Sequence, residues 1–252
     1  MKSVVVLLLL SGAPLLGYWP DYGPFQPGRE PQRWKLERVA PHHADDEAGV
    51  ARFSLSSGLD LTLRRRDAAD GVMISAELSR SADGLFLAET DVSDFYYFPS
   101  EVWTSDLNRD GKPDVVFALP SGGNGLAAQI SQRVIVYSSP AGYQVDSRWT
   151  FDADVNDFLD LGNGSATIVW TSFIYGEEGR DGRAHNYWVF QLQGFVRGEL
   201  REVNARRGGF PRWIMYTFAP NHRPTRQLTP EQKARLWRNS MMPGGESSPH
   251  RR

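Results

Sequence analysis

The sequence predicts an all-β protein: propeller-like blades, or a β-sandwich of short antiparallel strands, with one short C-terminal helix. Three observations predict this. Aromatic residues make up 12% of the chain, with 8 Trp and 9 Tyr, a composition that suits pleated, half-buried surfaces. Short runs of alternating apolar and polar residues are punctuated by Gly, Asp and Asn every 8–12 residues or so. A helix-start signature stands close to the C-terminus and is read nowhere else. With 252 residues the chain makes one domain or two small ones and buries a substantial core.

The elements follow in order. Lys2, the apolar run Val4–Leu10 and the small residues of Ser11–Gly17 read as a secretory signal peptide over residues 1–17, too short in its apolar core to span a bilayer. Residues 18–48 are rich in Pro, Gly and charge and read as an irregular extended lead with one strand at Trp34–Val39. A β domain is expected over 49–240. In it Phe53 and Leu55 alternate with polar neighbours, as do Leu59, Leu61 and Leu63, and then Val72, Ile74, Ala76 and Leu78. Asp83-Gly84 is a hairpin turn, and Leu85 and Leu87 return from it. Further strands are expected at 94–98, 102–104, 115–119, 133–137, 147–151, 167–174, 186–192, 195–203 and 213–218. Thr229-Pro230-Glu231-Gln232 is a capping box with proline at the first helical position, opening a helix over 229–240. The tail, 241–252, has the composition of a disordered segment.

One stretch carries chemistry. Asp106-Leu-Asn108-Arg-Asp110-Gly111-Lys112-Pro-Asp114 reads D-x-N-x-D-G-x-x-D and runs into Val115-Val116-Phe117. Oxygen donors fall on alternate residues at Asp106, Asn108 and Asp110. Gly111 stands where a positive φ is needed, Lys112 offers its backbone carbonyl, and Asp114 closes the loop. Six to eight hard oxygen ligands are what Ca2+ takes. An EF-hand would place a bidentate Glu three residues beyond Asp114; Phe117 stands there instead, inside a strand pattern. The loop therefore joins strands rather than helices.

This loop and its hydrophobic continuation resemble the FG-GAP/VCBS repeats, the calcium-loop β repeats of integrin-type propellers and of many secreted bacterial proteins. The clear resemblance spans Trp103 to Tyr137. It implies that the loop joins two strands of a blade and that a calcium ion stiffens the turn. Repeats are expected over about 94–140 and 147–192. In the second, Asp160-Leu161 answers to Asp106-Leu107, and Ile168-Val169-Trp170 to Val115-Val116-Phe117. That copy is one residue short, with Gly162, Ser165 and Thr167 at ligand positions. A second register through Asp152, Asp154, Asn156 and Asp160 restores the spacing but puts Asp157 where glycine belongs. The copy reads as a decayed structural repeat.

Other stretches are weaker. Ser121–Gly125 is glycine-rich but lacks the Lys-Ser/Thr of a phosphate loop. His42-His43-Ala-Asp45-Asp46-Glu47 reads as solvated surface rather than a metal cluster. A net charge of −2 speaks against nucleic acid as a partner. The charge is uneven: residues 144–181 hold eight acids against two Arg, while 195–252 hold twelve Lys/Arg against four acids. Two mutually attracting faces or plain solvated surface account for this, the other reading being a basic tail that contacts lipid headgroups or an anionic polymer. There is no cysteine, hence no disulfide, lipobox, thiolate nucleophile or cysteine metal site. Export without disulfides gives a structural ion a clear use, because calcium is abundant outside the cytosol.

The expectation is a secreted or periplasmic, non-enzymatic calcium-binding module for adhesion, recognition or scaffolding. Its partner would be a protein or polysaccharide, with no transmembrane span after signal cleavage. A reading from another class is a secreted hydrolase of polysaccharide or phosphoester, which needs Glu177, Asp181 and His185 to converge in a pocket.

Overall fold

A computed structural model describes residues 31–40, 43–45, 49–55, 57–68, 71–93, 98–99, 101–120, 129–151, 153–204, 213–216 and 225–240. The signal peptide, most of the lead, the glycine-rich 121–125, Asp152 and the tail lie outside the described residues, as do 94–97 of one expected strand and His42, Asp46 and Glu47.

Among the described residues the fold is all-β with one short α-helix, in three antiparallel sheets. The first sheet is a meander of β3 (His43–Asp45), β4 (Val50–Leu55), β5 (Leu59–Ala68), β6 (Gly71–Arg80) and β7 (Phe86–Ser93). The middle sheet takes β2 (Glu37–Val39), β8 (Val102–Ser105), β9 (Asp114–Pro120), β10 (Ile130–Ser139) and β11 (Gly142–Phe151), in the order β11-β10-β9-β8-β2. The third has β1 (Gln32–Arg33), β12 (Phe158–Asp160), β13 (Ala166–Glu178), β14 (Ala184–Val196) and β15 (Glu199–Glu202), with β16 (Trp213–Tyr216) also pairing β14. Each sheet is mostly a run of sequential hairpins, because short Gly- and Asp-rich turns return the chain to its neighbour. At Asp83-Gly84, for example, Gly84 takes φ 66°, and the Leu85 amide donates to Asp83 Oδ1 at 3.1 Å.

Period-two patterning decides how the sheets stack. In β4 and β5, Ala51, Phe53, Leu55, Leu59, Leu61 and Leu63 face one core, while Arg52 and Ser54 face outward. The middle sheet is apolar on both faces. Val115, Phe117, Leu119, Val134 and Val136 pack on the first sheet; Val116, Ile135 and Tyr137 pack on Phe158, Ile168, Trp170 and Phe195 of the third. The continuous apolar run after Asp114 is thus the mark of a strand covered on two sides. The opposite face of the third sheet is a separate cluster, where Phe151 meets Trp188 edge-on at 4.8 Å and Phe173 lies 4.7 Å from Trp188.

The helix α1 runs Pro230–Ser240. Its capping box forms as the sequence predicts: the Thr229 amide donates to Gln232 Oε1 (2.7 Å), and the Gln232 amide to Thr229 Oγ1 (3.2 Å). Leu236 and Trp237 then pack on Tyr187, Val189 and Ile214 of the third sheet.

Two expected strands are broken. Of the strand expected at Trp34–Val39 only β2 (Glu37–Val39) forms, pairing with β8 in the middle sheet, while β1 (Gln32–Arg33), ahead of it, pairs with β12 in the third; Trp34 turns into the core between them. The strand at 195–203 is cut by a tight turn, with Arg197 at φ 56° and Gly198 at φ 78°; β14 ends at Val196 and pairs back on Glu199.

A buried ion pair locks the middle sheet to the third. Arg133 on β10 is 1% exposed. Its guanidinium donates to the Val169 carbonyl at 2.9 Å and to the Asp157 carboxylate, and lies 5.0 Å from the Trp170 ring centroid. Burial pushes the Asp157 carboxyl up, against the pull of Arg133.

Candidate functional site

The loop 106–114 joins β8 to β9, as its strand-flanked pattern predicts. Two residues take left-handed backbone, Arg109 (φ 57°) and Gly111 (φ 83°). They curl the chain so that its own amides point at its own carboxylates. Asp106 accepts from the amides of Asp110 and Gly111, both at 3.0 Å. Asn108 Oδ1 accepts from the Asp110 amide at 3.1 Å, and Asp110 Oδ1 from the Lys112 amide at 2.9 Å.

Asp114 is different in kind. It is fully buried and accepts from the Leu107 amide (2.7 Å) and, across the sheet, from the Ser138 amide (2.8 Å). Burial, opposed by those two amides and reinforced by the nearby negative charges of Asp110 and Asp106, pushes its carboxyl up to about 7. Tyr143, whose hydroxyl donates to the Pro113 carbonyl at 3.0 Å, feels the same field. Its phenol is pushed up to about 12, first by burial and then by Asp114 and Asp110.

The five expected site residues are therefore on one loop, though not around one centre. Asp106 and Asn108 are half-buried, Asp110 and Lys112 exposed, and Asp114 buried. Among the described residues, no three His, Cys, Asp or Glu side chains form a group arranged to hold a metal ion. The donor chemistry nonetheless fits a hard cation. Every donor is oxygen, the charges named around Asp114 are negative, and buried carboxylates are costly without a positive partner.

Sequence reasoning misses the residue that closes the site. Ser138, at the end of β10, donates its hydroxyl to Asp110 Oδ2 (2.7 Å) and its amide to Asp114, and its carbonyl accepts from Asn108 Nδ2 (2.7 Å). The pairing of β10 with β9 at Val136↔Val115 brings it there. An open groove of about 430 Å³ lies alongside, lined by Asn108, Asp110, Lys112, Ser139, Pro140 and Gly198.

The second loop repeats the backbone without the charge. Gly162 (φ 69°) and Gly164 (φ 85°) turn the chain, and Asp160 Oδ1 accepts from the Gly162 amide at 2.8 Å. The alternative register also makes local bonds: Asp154 caps a 3-10 turn at Val155–Asp157 through the Asn156 amide, and Asp157 is committed to Arg133. The two loops touch, since the Ala166 amide donates to the Leu107 carbonyl at 2.7 Å.

The hydrolase candidates lie elsewhere, on the β13–β14 hairpin. Glu177 pairs in register with His185, but its carboxylate is bound to Arg235 of α1. His185 Nε2 lies 2.8 Å from Asp181 Oδ1. None of the three lines the groove.

Among the described residues no helix is long and apolar enough to cross a membrane. Comparison with protein-family models, and with curated proteins, finds no match to this chain.

Proposed function

We propose that this chain is a calcium-binding β-repeat protein of the FG-GAP/VCBS type, secreted or periplasmic and non-enzymatic, acting as an adhesion, recognition or scaffolding module. Asp106, Asn108, Asp110, the Lys112 carbonyl and Asp114 would hold the ion. Its work is structural: it neutralises the loop and stiffens the β8–β9 turn that also anchors the neighbouring loop.

The observation that carries this reading is Asp114. A carboxylate with no solvent exposure sits beside Asp106 and Asp110, and a divalent cation is the simplest partner for three such groups on one nine-residue loop. The groove beside the loop, flanked by the Lys112 and Ser139 side chains, is where a protein or polysaccharide ligand would meet it. No nucleic-acid role is proposed.

Calorimetric titration of the metal-free chain with CaCl2 tests the assignment. One site is expected, with a dissociation constant in the range of about 10⁻⁶–10⁻³ M, and Asp110→Ala should abolish it. Absence of any binding by the unaltered chain at millimolar calcium would overturn the reading.

A further inference from the structure

The segment 32–39 is short, polar and attached to two sheets at once. It pairs through two residues with β12 (Gln32↔Asp160, Arg33↔Leu159) and through three with β8 (Glu37↔Thr104, Arg38↔Trp103, Val39↔Val102). Between these pairings Trp34 enters the core with Leu107. The ladders are short, and Trp34 adds a core anchor between them.

The Trp34 indole makes its hydrogen bond to Ser105 and its cation–π contact to Arg109 of the 106–114 loop. Its Nε1 donates to Ser105 Oγ at 3.0 Å, and the Ser105 hydroxyl donates to the Lys35 carbonyl at 2.9 Å. The guanidinium of Arg109 lies over the Trp34 ring at 5.1 Å. Arg109 reaches that position from a left-handed backbone, φ 57°, between two of the loop's oxygen-bearing side chains. On the other side, the Trp34 amide donates to the Phe158 carbonyl at 2.8 Å, the Arg33 side chain donates to the Asn156 carbonyl, and the Trp34 ring packs with Phe158, Ile168 and Trp170.

We infer that residues 32–39 form a latch across the edges of the middle and third sheets, held shut by Ser105 at the end of β8 and by loop 106–114 through Arg109. Whatever orders the loop tightens the latch. Whatever loosens the loop frees the outer edges of β8 and β12, which are then open to pairing by an extended strand. A consequence that rests on the calcium reading is that the ion and the latch stabilise each other, because coupling between two sites is reciprocal.

Hydrogen exchange of the full chain, read by mass spectrometry on peptides covering 32–39, tests this. Arg109 is exposed, so Arg109→Ala should fold. It should speed exchange in 32–39 by about two- to five-fold, the loss expected of one cation–π contact, and leave β4 and β5 unchanged. Calcium should slow exchange in 32–39 in the unaltered chain, and less so in Arg109→Ala. If Arg109→Ala exchanges like the unaltered chain in 32–39, the latch is refuted. If Arg109→Ala speeds exchange but calcium neither binds nor changes it, the latch stands and the calcium assignment falls. Trp34→Phe, which keeps an aromatic ring but removes the Nε1 donor, should reproduce part of the Arg109→Ala effect; an effect spread over all three sheets would mean a general loss of stability instead.

Discussion

The two strand-linking loops, 106–114 and 160–166, both turn through left-handed backbone but differ in length and in the side chains they carry, most sharply at one buried position. Both leave a strand, turn through positive-φ glycine and enter a strand covered on the inner side. Where the first ends on Asp114, the second, aligned on the strands that follow, has Thr167; both are fully buried. Thr167 is neutral, and its hydroxyl accepts from Asn163 Nδ2 at 3.2 Å. Asp114 brings a charge that two amides only partly offset. The lesson is that both turns are shaped by backbone amides donating to the loop's own first aspartate. On the calcium reading, what separates the two loops is the buried carboxylate of Asp114.

The largest effect is expected at Asp114. Asp114→Ala strands the amides of Leu107 and Ser138 in the interior and should cost about 2–6 kcal/mol, at about 1–3 kcal/mol for each orphaned donor. Chemical denaturation in metal-free buffer reads this, and the variant should also lose any stabilisation by calcium.

The pH dependence sharpens it. The Asp114 carboxyl stands at about 7 in the folded protein against an ordinary 3.8, so without metal the folded form binds this proton more tightly than the unfolded form. Its contribution is greatest below the unfolded value and is lost as pH rises toward about 7. Metal-free melting temperatures should accordingly fall over that window relative to Asp114→Asn, whereas the calcium increment should grow as the proton leaves. A substitution at Thr167 should leave both pH profiles unchanged.

The turns themselves should respond alike. Gly111→Ala and Gly162→Ala each force a side chain into left-handed backbone, with open space around the added Cβ, so each should cost about 1–2 kcal/mol from conformation alone. Only the first should weaken calcium binding. Smallest is Thr167→Ala, which removes one hydrogen bond for about 1 kcal/mol and should leave calcium binding intact.

Much of this was legible locally. Leu59, Leu61 and Leu63 alternate because β5 has one buried face, and the Thr229–Gln232 box starts α1 by bonds within four residues. The loop is legible for the same reason, since its donors and its glycine are neighbours in sequence. The rest depends on pairing between distant strands. Nothing near Ser138 marks it as the clasp on Asp110 and Asp114; the β9–β10 register puts it there. Arg133 sits in an apolar strand pattern, and only the folded stack shows that Asp157, Val169 and Trp170 receive it. The break at Trp34 likewise comes from a core built by two sheets whose other strands follow much later in the chain.

The most direct test of the central claim is thermal unfolding of the unaltered chain in excess calcium and in excess chelator, beside Asp110→Ala. The account predicts a higher melting temperature in calcium, equivalent to about 2.7 kcal/mol at one hundred times the dissociation constant, and no such increment in the variant. Superimposable curves for the unaltered chain in calcium and chelator would contradict it.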